Sequence, residues 1–306
     1  MAEPMVDPTF LGGPRARADS SPDTPYVYLG IPYGPPYEPQ DLTVCAGAAD
    51  AVRVMSHRME YAKLASHYDF DLGRELFAAG EELVTDLGNL SSDVRHPDAI
   101  ADEASKTIRS HVVAGRIPLV IGGLDSIPPM VVRAFDGVET VNVLHVDAHL
   151  DFREDVDGVR FGYSSPIRRI RELACVQEIV QVGLRAVGTA RPSDVKDALA
   201  SGNNLVTAWE LHEGGVPAFI QSLPSDHRWI VTIDCDGLDP SIAPAVGWPE
   251  PGGVTFTEIR QILAHLAKAS AIAGVVFTEF RPEMTGADMT AQTIARLLIN
   301  VIGLQR

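Results

Sequence analysis

Cysteine is scarce in this 306-residue chain, which has three: Cys45, Cys175 and Cys235. Their odd number, wide spacing and lack of any CxxC pair argue against a disulfide framework and point to a reducing, cytoplasmic setting. Basic residues are also short, with 25 Lys and Arg against 41 Asp and Glu and a formal charge of −16. A nucleic-acid partner is thereby disfavoured, because phosphate binding needs a basic face. The simplest meaning of the acidity is a solvated surface, with a modest pull on cationic ligands besides. No apolar run is long enough for a membrane span, so no membrane partner is expected. The N-terminus has no basic flank leading into an apolar core, and no internal repeat is found.

What is present is an ordinary globular composition, 45% hydrophobic and 22% charged, which suffices for one large core. Residues 1–25 are rich in Pro, Gly, Asp and Ser and read as an N-terminal arm, flexible or packing on a neighbouring subunit. From residue 26 to 306 short β-branched runs alternate with longer helical stretches. Strands are expected over 26–31, 119–121, 141–146, 178–182, 205–208, 229–233 and 274–279. Helices are expected near 47–66, 97–115, 128–136, 165–174, 214–223, 256–269 and 287–302. The runs VNVLHV and RWIVTI are almost continuously apolar, as in strands covered on both faces. The alternation predicts a single α/β domain with a mostly parallel central sheet and helices on both faces. Ligands in such sheets bind beyond the carboxyl ends of the strands.

Three of those ends are acidic. The 141–146 strand runs into Asp147-Ala-His149-Leu-Asp151, the 229–233 strand into Asp234-Cys-Asp236, and the 119–121 strand into Gly122-Gly123-Leu124-Asp125-Ser126. Parallel neighbours would bring these loops to one rim. Two unit charges about 4 Å apart repel by roughly 4 kcal/mol at an effective dielectric near 20. Such a cluster therefore protonates, opens or binds cations. One or two divalent ions per chain are expected; oxygen-rich ligation with an imidazole suits Mn or Ni and admits Mg or Zn. A lone DxD after a strand is more often a turn or capping acid, and DAHxD alone is only somewhat more telling; both together, each after a buried strand, favour metal. Cys235 is expected to point into the core and Asp239-Pro240 to shape a turn. His145 is expected to face away from the metals as a packed imidazole.

The strings HVDAHLDFR (145–153) and TIDCDGLDPSIAPAVGWPEPGG (232–253) resemble the ureohydrolase (arginase/agmatinase) family. LGIPY (29–33), TDLGN (85–89), VGLR (182–185) and FTEFRPE (277–283) support the resemblance, which spans roughly 26–304. It implies an arginase-like sheet of about eight strands, binuclear hydrolysis of a guanidino group, and trimers or hexamers. Asp147, His149, Asp151, Asp234 and Asp236 fall on its metal-ligand positions, with Asp147 and Asp234 bridging. Glu279 falls on the acid that holds the substrate guanidinium, a carboxylate facing a planar fork of donors. Trp248 lies in a substrate-loop-like stretch and either walls the pocket or packs as ordinary loop.

The chain departs from the family pattern twice. GGLDS stands where the family has GGDHS, so Leu124 replaces an acid and Asp125 stands at a metal-ligating His. Asp125 can still ligate, in an all-oxygen site that prefers harder ions. Tyr163 aligns with a His that acts in proton transfer or substrate positioning, and a phenol of pKa about 10 is a poor base. Both changes suggest an accessory subunit of a heteromeric guanidino or biguanide hydrolase, of the metformin-hydrolase type, beside a homologous catalytic subunit. A self-sufficient agmatinase- or guanidine-type hydrolase and a non-catalytic binding protein are the alternatives.

Overall fold

Strands that are apolar on both sides need cover on both sides, and the computed structural model supplies it. It describes residues 8–16, 23–58, 67–77, 81–91, 97–269 and 271–305. In chain order the elements are β1 (Tyr26–Ile31), α1 (Ala48–Arg58), β2 (Tyr68–Asp69), β3 (Arg74–Glu75), β4 (Val84–Asn89), α2 (Pro97–Val113) and β5 (Ile117–Gly122). There follow α3 (Pro128–Arg133), β6 (Val141–Val146), α4 (Pro166–Arg171), β7 (Val176–Leu184), α5 (Pro192–Ala200), β8 (Asn204–Thr207) and α6 (Ala208–Gly214). The chain ends with α7 (Val216–Ser222), β9 (Arg228–Asp234), α8 (Phe256–Lys268), β10 (Ile272–Thr278) and α9 (Ala287–Leu304).

Eight strands form one sheet in the order β4-β1-β5-β10-β9-β6-β7-β8, and every pairing is parallel. Side chains alternate across it, so each strand feeds two cores. Leu119 and Ile121, Leu144 and Val146, Val231 and Ile233 join the core under α1, α8 and α9. Val120, Val143 and Ile230 join the opposite core under α2, α3 and α4. α8 shows why these helices form where they do. Thr255 and Glu258 close a capping box at its start, and Ile259, Ile262, Leu263 and Leu266 make one buried stripe.

The register sets the level of the rim. Ile121 pairs with Phe277, Phe277 with Ile233, and Ile233 with Val146. Four adjacent strands, β5, β10, β9 and β6, therefore finish side by side.

All the expected strands are present, and the structure adds several elements. Edge strand β4 was hidden because Asp86 interrupts its apolar run. That carboxylate is fully buried and accepts from Arg53 Nε (2.8 Å) and Nη2 (3.0 Å), from the Phe10 amide (2.8 Å) and from the Gly88 amide (2.8 Å). The β2–β3 hairpin and the short helices α5 and α6 were also not expected. Gly215, at φ 75°, separates α6 from α7, so the helix expected from 214 begins at Val216. Positions 59–66 of the expected first helix lie outside the described residues.

Residues 8–16 of the arm, expected to be flexible or to pack on a neighbouring subunit, pack instead on their own chain. Phe10 is completely buried and stacks on Tyr28 with ring centroids 4.6 Å apart, and Arg15 pairs with Asp86 at 3.0 Å. An aromatic and an arginine that match a buried ring and a buried acid anchor this segment to its own chain. Residues 1–7 and 17–22 lie outside the described set.

Asp86→Ala removes acceptors from Arg53, which is itself buried. A loss of about 3–5 kcal/mol in urea unfolding is expected. Asp102→Ala breaks only an exposed pair with Arg133 and should cost less than about 1 kcal/mol. Equal losses would mean that the Asp86 network does not hold the edge strand.

Candidate metal centre

The four level strand ends set the geometry. β5 gives way to Gly122-Gly123-Leu124-Asp125, β6 to Asp147, β9 ends at Asp234, and β10 is followed by Glu279. The loops are pressed close. A Cβ at Gly237 would overlap the Asp147 backbone, so only glycine lets the β9 loop lie against the β6 loop. Arg185, from the VGLR string, fixes the same loop from outside: its guanidinium donates to the carbonyls of Asp236 (2.6 Å), Gly237 (3.2 Å) and Glu250 (2.8 Å). Asp147 and Asp234 each turn the chain locally, accepting from the His149 amide (2.7 Å) and the Asp236 amide (2.8 Å). Asp151 (φ 46°) and Glu279 (φ 59°) sit in the left-handed region, a strained backbone that positions two acids.

A cavity of about 380 Å³ opens at this rim. Asp125, His149, Asp151, Tyr163, Asp234, Asp236, Trp248 and Glu279 all line it. Asp147 is placed differently, fully buried behind the wall. Its Oδ2 lies 2.8 Å from His145 Nε2, and its Oδ1 lies 3.4 Å from His149 Nδ1. His145 thus corrects the expectation that it faces away. Residues two apart on a strand share a face, which puts it on Asp147; its Nδ1 is held by Thr232 Oγ1 at 2.7 Å. Cys235 is buried in the core, as alternation requires. Trp248 belongs to the cavity wall yet is 71% exposed, so it sits at the mouth.

Burial makes the acids reluctant to ionise. Burial first, then the charges of Asp147 and Asp151, push the Asp125 carboxyl well above the carboxylate range. Burial and Asp147 do the same to Asp151, and burial and Asp236 to Asp234. Asp236 is pushed up to about 6 by burial and Asp147, and Glu279 to about 7 by burial and Asp236. Asp147 goes the other way: bonds to His145 and His149 outweigh its burial and hold it low. Burial opposes the His149 charge, but Asp147 and Asp236 raise its pKa to about 12.

These residues fit divalent cations. Asp125 Oδ1 accepts from Thr278 Oγ1 at 2.5 Å, while its Oδ2 is buried with no partner among the described residues. Two compact groups, Asp125–His145–Asp147 and Asp147–His149–Asp236, bring candidate ligand atoms within 4.8 Å of one another and share Asp147. Cations would answer both the unpaired oxygen and the raised acids.

Tyr163 offers no base. Its hydroxyl donates to Asp41 Oδ2 at 3.3 Å, its ring lies 4.4 Å from that of Tyr37, and burial and Asp41 raise its pKa further. The sequence reading passed over Asp41 and Arg281, both in the cavity wall. Asp41 is in a short 3-10 helix, Pro39–Thr43, with no motif around it. Arg281 stood in plain view, two residues after Glu279.

A family model for the arginase family matches residues 27–303. The chain is 30% identical over 288 residues to the agmatinase of Pyrococcus horikoshii, covering 92% of each. It is 29% identical over 297 residues to the N(1)-aminopropylagmatine ureohydrolase of Thermus thermophilus, again covering 92% of each. Among solved structures it is similar to the agmatine ureohydrolase of Thermoplasma volcanium (TM-score 0.71, 28% identity, 92% of this chain and 90% of that one). The formimidoylglutamase of Bacillus subtilis shares the fold at TM-score 0.82 and 22% identity, over 100% of this chain and 95% of that one. With an eight-stranded parallel sheet, acids and histidine at its carboxyl rim, and a match over nearly its whole length, the chain belongs to the arginase family of ureohydrolases.

Proposed function

We propose that this chain is a subunit of a metal-dependent hydrolase of guanidino or biguanide C–N bonds, serving an accessory role beside a homologous catalytic subunit. The observation that carries the reading is position 125. The family pattern places an imidazole there; here a buried carboxyl is tied to Thr278 and crowded by other acids. Leu124, also in the wall, contributes no donor atom. Tyr163 is committed to Asp41. The metal-dependent hydrolysis itself is the family's chemistry, and three of the relatives named above, an agmatinase and two ureohydrolases, act on agmatine or aminopropylagmatine by their names. A cytoplasmic trimer or hexamer, the metformin-hydrolase type of assembly, and Mn or Ni in preference to Mg or Zn belong to this proposal.

Asp125, Asp147, His149, Asp151, Asp234 and Asp236 would hold the cations. Bound there, divalent ions supply Lewis acidity and a lowered water pKa. The chain's own contribution is placement. Glu279 Oε1 accepts from the Asp125 amide at 3.0 Å, and Oε2, which has only a long thiol contact from Cys45 at 4.0 Å and Arg281 at 3.8 Å, would face a substrate cation. Trp248 at the mouth would cover the substrate's outer end. One observation favours a self-sufficient hydrolase instead: both compact ligand groups remain around Asp147.

The purified chain is expected to turn over agmatine or guanidine at least about 100-fold more slowly than when co-expressed with a homologous catalytic subunit, consistent with loss of a transition-state charge stabiliser. Steady-state assay of both preparations checks this, and full turnover by the lone chain defeats the accessory role. Leu124→Asp combined with Asp125→His is expected to raise Mn-dependent turnover of the lone chain by about tenfold or more. No change would place the defect elsewhere.

Thermal melts test the cation site. Asp236 and Glu279 have raised folded pKa values. The stability they contribute is complete below the ordinary values of 3.8 and 4.5 and is lost as pH climbs through about 6 and about 7. The Tm of chelator-treated protein is expected to fall between about pH 5 and pH 7.5, and Mn should restore more of it at the upper end. A flat profile without any gain from Mn would leave the cation site unsupported.

A further inference from the structure

The cavity holds a cation-binding oxygen and, beside it, a cation belonging to the chain. Arg281 is the sole Lys or Arg among the described wall residues, against six acids: Asp41, Asp125, Asp151, Asp234, Asp236 and Glu279. Its Nη2 lies 3.8 Å from Glu279 Oε2, the oxygen that the Asp125 amide does not use and to which the Cys45 thiol donates weakly at 4.0 Å. A guanidinium side chain thus sits next to the carboxylate to which a substrate guanidinium would come.

The backbone holds it there. The Arg281 amide donates to the Ala245 carbonyl at 2.9 Å, which draws the 245–248 loop across the guanidinium. Gly247 packs so closely on that group that a Cβ would collide with it. At 3.8 Å the contact with Glu279 is an ion pair without a closed hydrogen-bonded fork, and Arg281 Nε is buried with no partner among the described residues. Arg281 therefore neutralises Glu279 while its donors stay underused. Its side chain remains 28% exposed towards the mouth, so a competitor can displace it.

We infer that Arg281 is a resident occupant of the guanidinium subsite, a specificity-determining side chain that a free guanidinium or guanidino compound must displace from Glu279. This rests on Glu279 being the substrate's anchor, as proposed above. The consequence is selectivity by charge. A small monocation meets a like charge at the anchor, whereas a neutral molecule such as urea does not.

The test is calorimetric titration of the full-length, Mn-supplemented chain with guanidinium chloride, agmatine and urea. Arg281→Met is expected to tighten guanidinium and agmatine binding by about tenfold or more and to leave urea unchanged. Arg281→Lys, which keeps the charge, should stay close to the starting affinity. Adding Glu279→Gln to Arg281→Met should abolish the gain. Arg281→Gln gives the same reading if the Met variant loses its cooperative thermal transition. Equal guanidinium affinity in the original chain and both neutral variants overturns the inference, as does an equal gain for urea, which would mean the side chain only fills space. If Glu279→Gln weakens binding while Arg281→Met does not tighten it, the resident-arginine inference falls and the anchor stands. If Glu279→Gln changes nothing in either background, the anchor falls as well.

Discussion

Mutual repulsion among buried carboxylates is the constraint on which this molecule turns. A parallel sheet with level strands delivers several acids to one edge, and the helices that cover both faces keep water from screening them. Such an arrangement holds only if charge is supplied from elsewhere. Two sources are visible, histidines bonded to Asp147 and an arginine beside Glu279, and the donor set fits cations as a third. Asp125, Asp151 and Asp234 are nonetheless raised above the carboxylate range, by burial first and by neighbouring acids after it.

The same constraint gives meaning to position 125. An imidazole there would be a neutral ligand among anions. A carboxyl must either stay protonated or add one more negative charge to a place already short of positive charge. The fold accepts it by giving one oxygen a hydroxyl partner, Thr278, and leaving the other bare. Altered cation occupancy is what the proposed function draws from that chemistry, and it is why a partner subunit enters the functional reading.

Much of this was readable from sequence because its signals are local. The VNVLHV and RWIVTI runs announce buried strands, and the acids that follow them announce a rim. The features that escaped depend on contacts far apart in the chain. β4 carries Asp86 at its centre, which looks like a break until Arg53 and the Phe10 amide are found around it. The arm reads as featureless, yet Phe10 finds Tyr28. His145 is a different kind of miss: strand alternation alone would have paired it with Asp147. Arg281 shows the limit of motif reading. It stands beside Glu279 in a family-like string, but only the fold shows that its guanidinium returns to the same cavity.

Arg185 grips the rim through main-chain oxygens, with no side chain of the acid cluster in its grasp. Loop shape is thereby uncoupled from ligand identity. A change of ligand type at 124 or 125 therefore leaves the walls that carry the cluster standing, because what holds them is main chain rather than the acids themselves.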